Sequence, residues 1–288
     1  MIIPAPTLKY AGAKWRIAEW LCGHLPEHSS YVKPFFGSGA IYFNKPVASI
    51  EIINDLDQNV YNYFWCLREF PHELAQLCAL TPWSQTEYEQ SVLELQTPLN
   101  FTASDTRQRL AQARTFVTAS WQMFGRKNVI ARNGWRFRYL SSQSPLATWN
   151  KLPDRILHAA SRLMHTQICC DPAADVIAGV NDKEVLVYAD PPYLGSTRTY
   201  GKIYEIEMKS AQQHADLLEQ LDAHIGMVVL SGYHSNLYNE RLRFWTRFET
   251  EVRVQSNAHR TEVIWLNPLA AKRLGKPTQA QFFESGTV

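Results

Sequence analysis

Five short apolar runs, at 31–36, 49–54, 166–170, 185–189 and 227–231, are each followed or preceded by a stretch with helical spacing. That alternation narrows the fold more than any other feature of the chain. Strands that alternate with helices pair in parallel and bury both faces, so the expected architecture is α/β, a Rossmann-like doubly wound sheet. Two later runs, 248–254 and 262–266, read as a closing hairpin. The rhythm breaks between 66 and 154, where helical patterns occupy 71–80, 85–95 and 105–124, the last with Leu110, Ala113, Val117, Ser120 and Phe124 on one face. Beyond Gly125, extended runs at 127–131 and 135–139 flank Arg132-Asn133-Gly134. Asn-Gly in that setting favours a two-residue turn, because both positions accept a positive φ. The division expected is a discontinuous sheet domain, 1–65 with 155–270, an inserted, mainly helical domain with a β-hairpin at 66–154, and a polar tail at 271–288.

Charge follows the same division. The chain carries only +2 overall, yet the 48 residues 106–153 hold no Asp or Glu and nine basic residues: Arg107, Arg109, Arg114, Arg126, Lys127, Arg132, Arg136, Arg138 and Lys151. The rest is left at −7. Such asymmetry fits either a surface that meets phosphates or a solvated basic face. No run approaches the roughly 18 apolar residues that a membrane helix needs. Met1-Ile2-Ile3-Pro4 has neither a basic leader nor a cleavage site. Cys22, Cys66, Cys78, Cys169 and Cys170 form no C-x-x-C pair, which favours buried reduced thiols over metal or redox chemistry. A cytoplasmic protein, monomeric in solution and without a metal, is expected.

The sharpest motif is Asp190-Pro191-Pro192-Tyr193, directly after the run 185–189. Ligands of open α/β sheets sit outside the carboxyl ends of the strands, so this tetrapeptide is placed to line a site. A carboxylate (Asp190) and a rigid backbone carbonyl (Pro191) can accept both N–H bonds of a flat exocyclic amine. They would localise its lone pair and stabilise the charge that develops when it attacks an electrophile. Tyr193 can stack on a base, a contact worth roughly 1–3 kcal/mol and comparable with the few kcal/mol needed to turn a base out of a duplex. A strand followed by a Pro-Pro turn explains the same residues without a ligand.

Gly37-Ser38-Gly39 after the first strand lets backbone approach a ligand, but Tyr42 stands where a dinucleotide fingerprint has its third glycine. Asp55, at the end of the next strand, reads either as a helix cap or as an acid for ribose hydroxyls. Together these residues describe a site for a nucleoside without phosphates.

Leu8-Lys9-Tyr10-Ala11-Gly12-Ala13-Lys14, Pro34-Phe35-Phe36-Gly37-Ser38-Gly39, Asn54-Asp55 and Asp190-Pro191-Pro192-Tyr193 resemble, in that order, the motifs of the DNA adenine methylase (Dam) family. Leu230-Ser231-Gly232-Tyr233 with Leu237-Tyr238, and Arg260-Thr261-Glu262-Val263-Ile264-Trp265, extend the match over nearly the whole chain. Ala13 stands where the family commonly has Gly. The resemblance implies a site-specific methyltransferase that moves a methyl group from S-adenosyl-L-methionine to the exocyclic amine of adenine in double-stranded DNA. It implies that Tyr10, Lys14, Phe36, Gly37, Ser38, Gly39 and Asp55 hold the donor, that Asp171 (or Asp175) meets the donor's adenine, and that Asp190, Pro191, Pro192 and Tyr193 hold a flipped target base. The sheet domain would then be the catalytic, donor-binding one and 66–154 the DNA target-recognition domain, with Arg126, Lys127, Arg132, Asn133, Arg136 and Arg138 toward DNA. An amino-methyltransferase of cytosine in DNA, adenine in RNA or glutamine in a protein is the alternative, because the tetrapeptide reads an amino group and not a whole nucleotide.

Overall fold

The computed structural model of the chain describes residues 5–97, 100–101, 105–124, 134–136, 145–194, 208, 210–253 and 259–275. Seven strands form one sheet: β1 (Ser30–Lys33), β2 (Ile50–Asn54), β3 (Thr166–Cys169), β4 (Val185–Ala189), β5 (Met227–Gly232), β6 (Thr246–Arg253) and β7 (His259–Leu266). Their order is β3-β2-β1-β4-β5-β7-β6. The first five are mutually parallel, and β7 runs antiparallel between β5 and β6. Every residue of β4 and β5 is buried, as central strands covered on both faces must be. β1 has β2 on one side and β4 on the other, so the chain reverses its direction of travel across the sheet there. A crevice opens at that switch point, outside the carboxyl ends of the strands.

Helices α1 (Ala18–Cys22) and α2 (Ala40–Asn44) flank β1. Among the described residues six more lie between β2 and β3: α3 (Gln58–Glu69), α4 (Pro71–Leu80), α5 (Gln85–Glu94), α6 (Thr106–Gln122), α7 (Pro145–Trp149) and α8 (Leu152–Leu163). Their starts are written locally. The Asp57 carboxylate accepts the Asn59 N–H at α3, Pro71 opens α4, and Asp105 with Gln108 makes a reciprocal capping box at α6. The expected borders at 65/66 and 154/155 fall inside α3 and α8. One apolar cluster runs from Tyr31 and Ile53 through Phe64, Phe116 and Trp121 to Trp149, so these helices share the core of the sheet.

α6 differs from the single apolar stripe expected. Ala113, Val117 and Ser120 are buried, but so are Thr115, Phe116, Thr118, Trp121 and Gln122, because α3, α4 and α5 all pack on it. Phe124, expected on that stripe, is 60% exposed.

Of the hairpin expected around Asn133-Gly134, only Gly134, Trp135 and Arg136 are among the described residues. Met123 pairs antiparallel with Trp135, the Phe124 N–H donates to the Gly134 carbonyl (2.7 Å), and the Arg136 N–H donates to the Gln122 carbonyl (2.7 Å). Gly134 does not take the positive φ that a two-residue turn needs there. The Trp135 ring packs on the main core and its indole N–H donates to Gln122 Oε1 at 3.3 Å. Arg126, Lys127, Arg132, Asn133 and Arg138 lie outside the described residues.

On the other face, α9 (Ala173–Ala178), α10 (Ala211–Asp222) and α11 (Asn236–Arg241) cover a second cluster built on Val32, Val187, Val228, Leu230 and Trp245, and α12 (Pro268–Arg273) follows β7. A buried ionic knot ties the near side. Glu51 of β2 accepts from Lys45 Nζ (2.6 Å) and from both terminal nitrogens of Arg162 on α8, whose guanidinium lies 4.0 Å from the Tyr42 ring centroid. Among the described residues no helix is long and apolar enough to cross a membrane. All five cysteines are free thiols.

Candidate active site

A cavity of about 560 Å³ occupies the switch-point crevice, bounded by the segment 10–14, the β1–α2 turn, Asp55 and Leu56, the start of α9, Asp190, Pro192 and one face of α10. The β1–α2 turn is shaped by its aromatic anchor and its glycines. Phe36 is buried edge-to-face against Phe64, with centroids 4.7 Å apart. Gly37 takes φ +56° and Gly39 φ +70°; a Cβ on Gly39 would come within 2.7 Å of the Phe36 and Phe43 rings. Only glycine meets both demands without strain. Ser38 is buried, its Oγ accepting from the Trp15 indole at 3.1 Å.

Asn54 locks the strand ends around this turn. Its amide donates to the Pro34 and Asp171 carbonyls (2.9 and 3.0 Å) and accepts the Asp171 N–H (2.9 Å), joining the ends of β1, β2 and β3. Asp55, next in sequence, accepts the Gly37 N–H (2.7 Å) and the Asp57 N–H (3.0 Å). Withdrawal from water and the neighbouring Asp57 carboxylate push Asp55 up to about 7, against the two backbone donors and Lys33, which pull it down. Asp57 also accepts from the Tyr10 hydroxyl at 3.2 Å.

At the other end of the cavity four side chains from three distant segments converge. Lys14 Nζ lies 3.4 Å from Asp190 Oδ1 and 3.0 Å from Glu262 Oε2 of β7, and it hydrogen-bonds the Tyr193 hydroxyl. That hydroxyl donates to Glu262 Oε2 at 3.0 Å. Burial alone would lower the lysine pKa, but Asp190 and Glu262 outweigh it and hold Lys14 well above its ordinary value, fully protonated. The Tyr193 ring is 8% exposed, with the Tyr233 ring 4.3 Å away and the Lys14 ammonium 4.7 Å from its centroid.

Tyr10, Lys14, Phe36, Gly37, Ser38, Asp55, Asp190 and Pro192 all line one cavity. Gly39 shapes its turn from behind, and Pro191 and Tyr193 back Asp190 without reaching the wall. Asp171 is not brought there: its side chain is exposed, only its backbone is engaged by Asn54, and Pro172, Ala173 and Ala174 form that wall. Arg136 is on the paired segment beside α6, away from the cavity lining.

Three residues now stand out that the sequence reading assigned no role: Glu262, Tyr233 and Lys33. Glu262 could have been found as the one acid in the apolar end of its strand, and Lys33 as a charge closing an apolar one. Lys33 lines the cavity and is 3% exposed; burial and the nearby Lys14 lower its pKa to about 8, while Asp190 and Asp55 oppose the shift. Among the described residues no cluster of three or more His, Cys, Asp or Glu could hold a metal ion.

Comparison with known proteins agrees with this geometry. The chain is 24% identical over 245 residues to a DNA adenine methylase of Vibrio cholerae serotype O1, covering 82% of this chain and 83% of that one. A DNA adenine methylase of Salmonella typhi is 24% identical over 238 residues, 81% of this chain and 82% of the relative. That of Escherichia coli strain K12 is 25% identical over 225 residues, 74% and 73%. A family model described as D12 class N6 adenine-specific DNA methyltransferase matches residues 10–256, most of the chain and every segment of the cavity named above. The chain therefore belongs to the D12 class of N6 adenine-specific DNA methyltransferases.

Proposed function

We propose that this adenine methyltransferase takes its methyl group from S-adenosyl-L-methionine bound in the switch-point cavity and delivers it to an adenine turned out of double-stranded DNA, acting as a cytoplasmic monomer. The observation that carries the reading is that one cavity is bordered at one end by Asp55 and the Gly37 turn and at the other by Asp190. The residues fit such a donor. Asp55 accepts two backbone N–H bonds and keeps lone pairs for ribose hydroxyls. The Gly37–Gly39 turn lets backbone approach, and Tyr42 occupies the place where a pyrophosphate cradle would need glycine. When bound, S-adenosyl-L-methionine supplies an electrophilic methyl group on a sulfonium.

The chain's own residues then do the following. The Asp190 carboxylate and the Pro191 carbonyl accept the two hydrogens of the adenine N6, localising its lone pair toward the cavity and stabilising the positive charge that grows on nitrogen. Lys14, gripped by Glu262, fixes Asp190 and the Tyr193 hydroxyl in one arrangement. Tyr193 offers a stacking face. Basic residues of the 106–153 stretch hold the phosphates.

The test uses unmodified duplex DNA and labelled donor. Digested nucleosides should contain N6-methyladenine. Asp190→Ala should keep donor and DNA binding while kcat falls by about a hundredfold or more, as when a transition-state acceptor is lost. A variant retaining a tenth of normal kcat, or a wild-type protein that does not bind S-adenosyl-L-methionine, would sink the reading.

A further inference from the structure

Three lysines are buried among the described residues: Lys14, Lys33 and Lys45. Lys14 faces Asp190 and Glu262, and Lys45 faces Glu51 at 2.6 Å. Among the described residues Lys33 has neither a carboxylate nor a hydrogen-bond acceptor as partner; its ammonium lies over the Tyr188 ring, 4.4 Å from the centroid. A buried ammonium without an anion is costly, and an aromatic face replaces little of the lost hydration. Lys33 is nevertheless the last residue of β1, on the cavity wall beside Pro34 and in the field of both Asp55 and Asp190. Its position and its missing partner point to an anionic group that arrives with a ligand.

We propose that Lys33 anchors the carboxylate of the methyl donor's amino-acid tail, a role that rests on the reading of the cavity as the S-adenosyl-L-methionine site. Charge selects this group. The donor carries one anionic function, its α-carboxylate, and Lys14 is already held by two carboxylates and a hydroxyl. Lys33 and Asp55 line the same cavity, so a donor whose nucleoside is held by Asp55 would have its tail within that cavity, where Lys33 could meet it. A DNA phosphate does not compete for the position, because Lys33 is 3% exposed and lies at the end of the central strand β1. Lys33 would thus discriminate donors by their tail, while Asp55 reads the sugar.

Two ligands that differ by this carboxylate alone test the assignment: S-adenosyl-L-methionine and its decarboxylated form, each titrated calorimetrically into the full chain without DNA. Wild type should prefer the carboxylate-bearing ligand by about 10- to 100-fold, the range of a charge-assisted hydrogen bond in a buried site. Lys33→Met, which fills the same space without charge, should reduce that preference to within about threefold while still binding the decarboxylated ligand. Lys33→Arg should keep a preference, which decides the matter should the Met variant fail to fold. Equal preference in wild type and Lys33→Met, or none in wild type, overturns the role of Lys33. A wild-type protein that binds neither ligand overturns instead the reading of the cavity.

Discussion

Asp55 shows how a single side chain can make donor binding sensitive to pH near neutrality. Its carboxylate accepts from Gly37 and Asp57, and in the proposed complex from ribose hydroxyls as well. Only the ionised form can accept all of these bonds. Because the carboxyl is raised from 3.8 to about 7, its ionised fraction in the ligand-free protein falls as pH drops through 7. Donor affinity should therefore fall as the pH drops below 7, approaching tenfold per unit at the acid end, while protonation of Lys33, itself at about 8, offsets the loss between pH 8 and pH 7. Asp55→Asn should bind weakly throughout and lose this dependence on the acid side. Calorimetric titration across that range checks it: a flat wild-type profile would mean that Asp55 caps α3 and the turn but does not read the ligand. The residues that were legible in the sequence are those whose neighbours in sequence are also neighbours in space. Asp190, Pro191 and Tyr193 form one tetrapeptide, and Gly37 to Gly39 one turn. Lys33, Tyr233 and Glu262 reach the same site singly, from β1, the end of β5 and β7; a charge in an apolar run marks Lys33 and Glu262 as unusual, but no local pattern says that they meet at one site.

Secondary elements were legible where burial is symmetrical and ambiguous where it is not. β4 and β5, covered on both faces, read as unbroken apolar runs and were recovered as strands, as were the other parallel strands and the closing hairpin. α6 was recovered as a helix, but its environment was not: three neighbouring helices bury Thr115, Thr118 and Gln122, residues that a stripe pattern assigns to solvent. Trp135, partly buried against the main core, pairs with Met123, a contact that the local Asn-Gly pattern does not encode. The knot of Glu51, Lys45 and Arg162 was invisible for a related reason, since it joins β2 to α8 across 111 residues. It yields a prediction at this scale. Glu51→Leu leaves two buried cations without their anion and should cost about 3–5 kcal/mol of stability, read as a lowered denaturation midpoint with an unchanged slope. A loss under about 1 kcal/mol would mean that water reaches the pair, in the range of an exposed salt bridge.

Across the whole molecule, the basic stretch 106–153 divides into charges turned inward and charges available to a partner. Arg109 lies over Trp65, 3.4 Å from the ring centroid, and its Nε donates to Asn62 Oδ1 at 2.9 Å. Arg114 is paired with Glu87 of α5. These two therefore hold helices together, and the electrostatic footprint that the sequence spread over nine residues is left to the other seven, Arg107, Arg126, Lys127, Arg132, Arg136, Arg138 and Lys151. The contrast is measurable, because a phosphate contact and a packing contact leave different marks. Each phosphate contact contributes about 0.9 to the slope of log affinity against log salt on duplex DNA, independent of sequence. Replacing Arg109 or Arg114 with Ala should lower thermal stability and leave that slope unchanged. Lys127, Arg132 and Arg138, each replaced with Ala, test the opposite case. Each of the three that touches a phosphate should make the slope shallower by about one unit, and one that reads a base edge should instead relax preference at a single position. If all five residues of the 126–138 group leave affinity, slope and sequence preference unchanged, that group is a solvated face and the duplex is held by other parts of the surface.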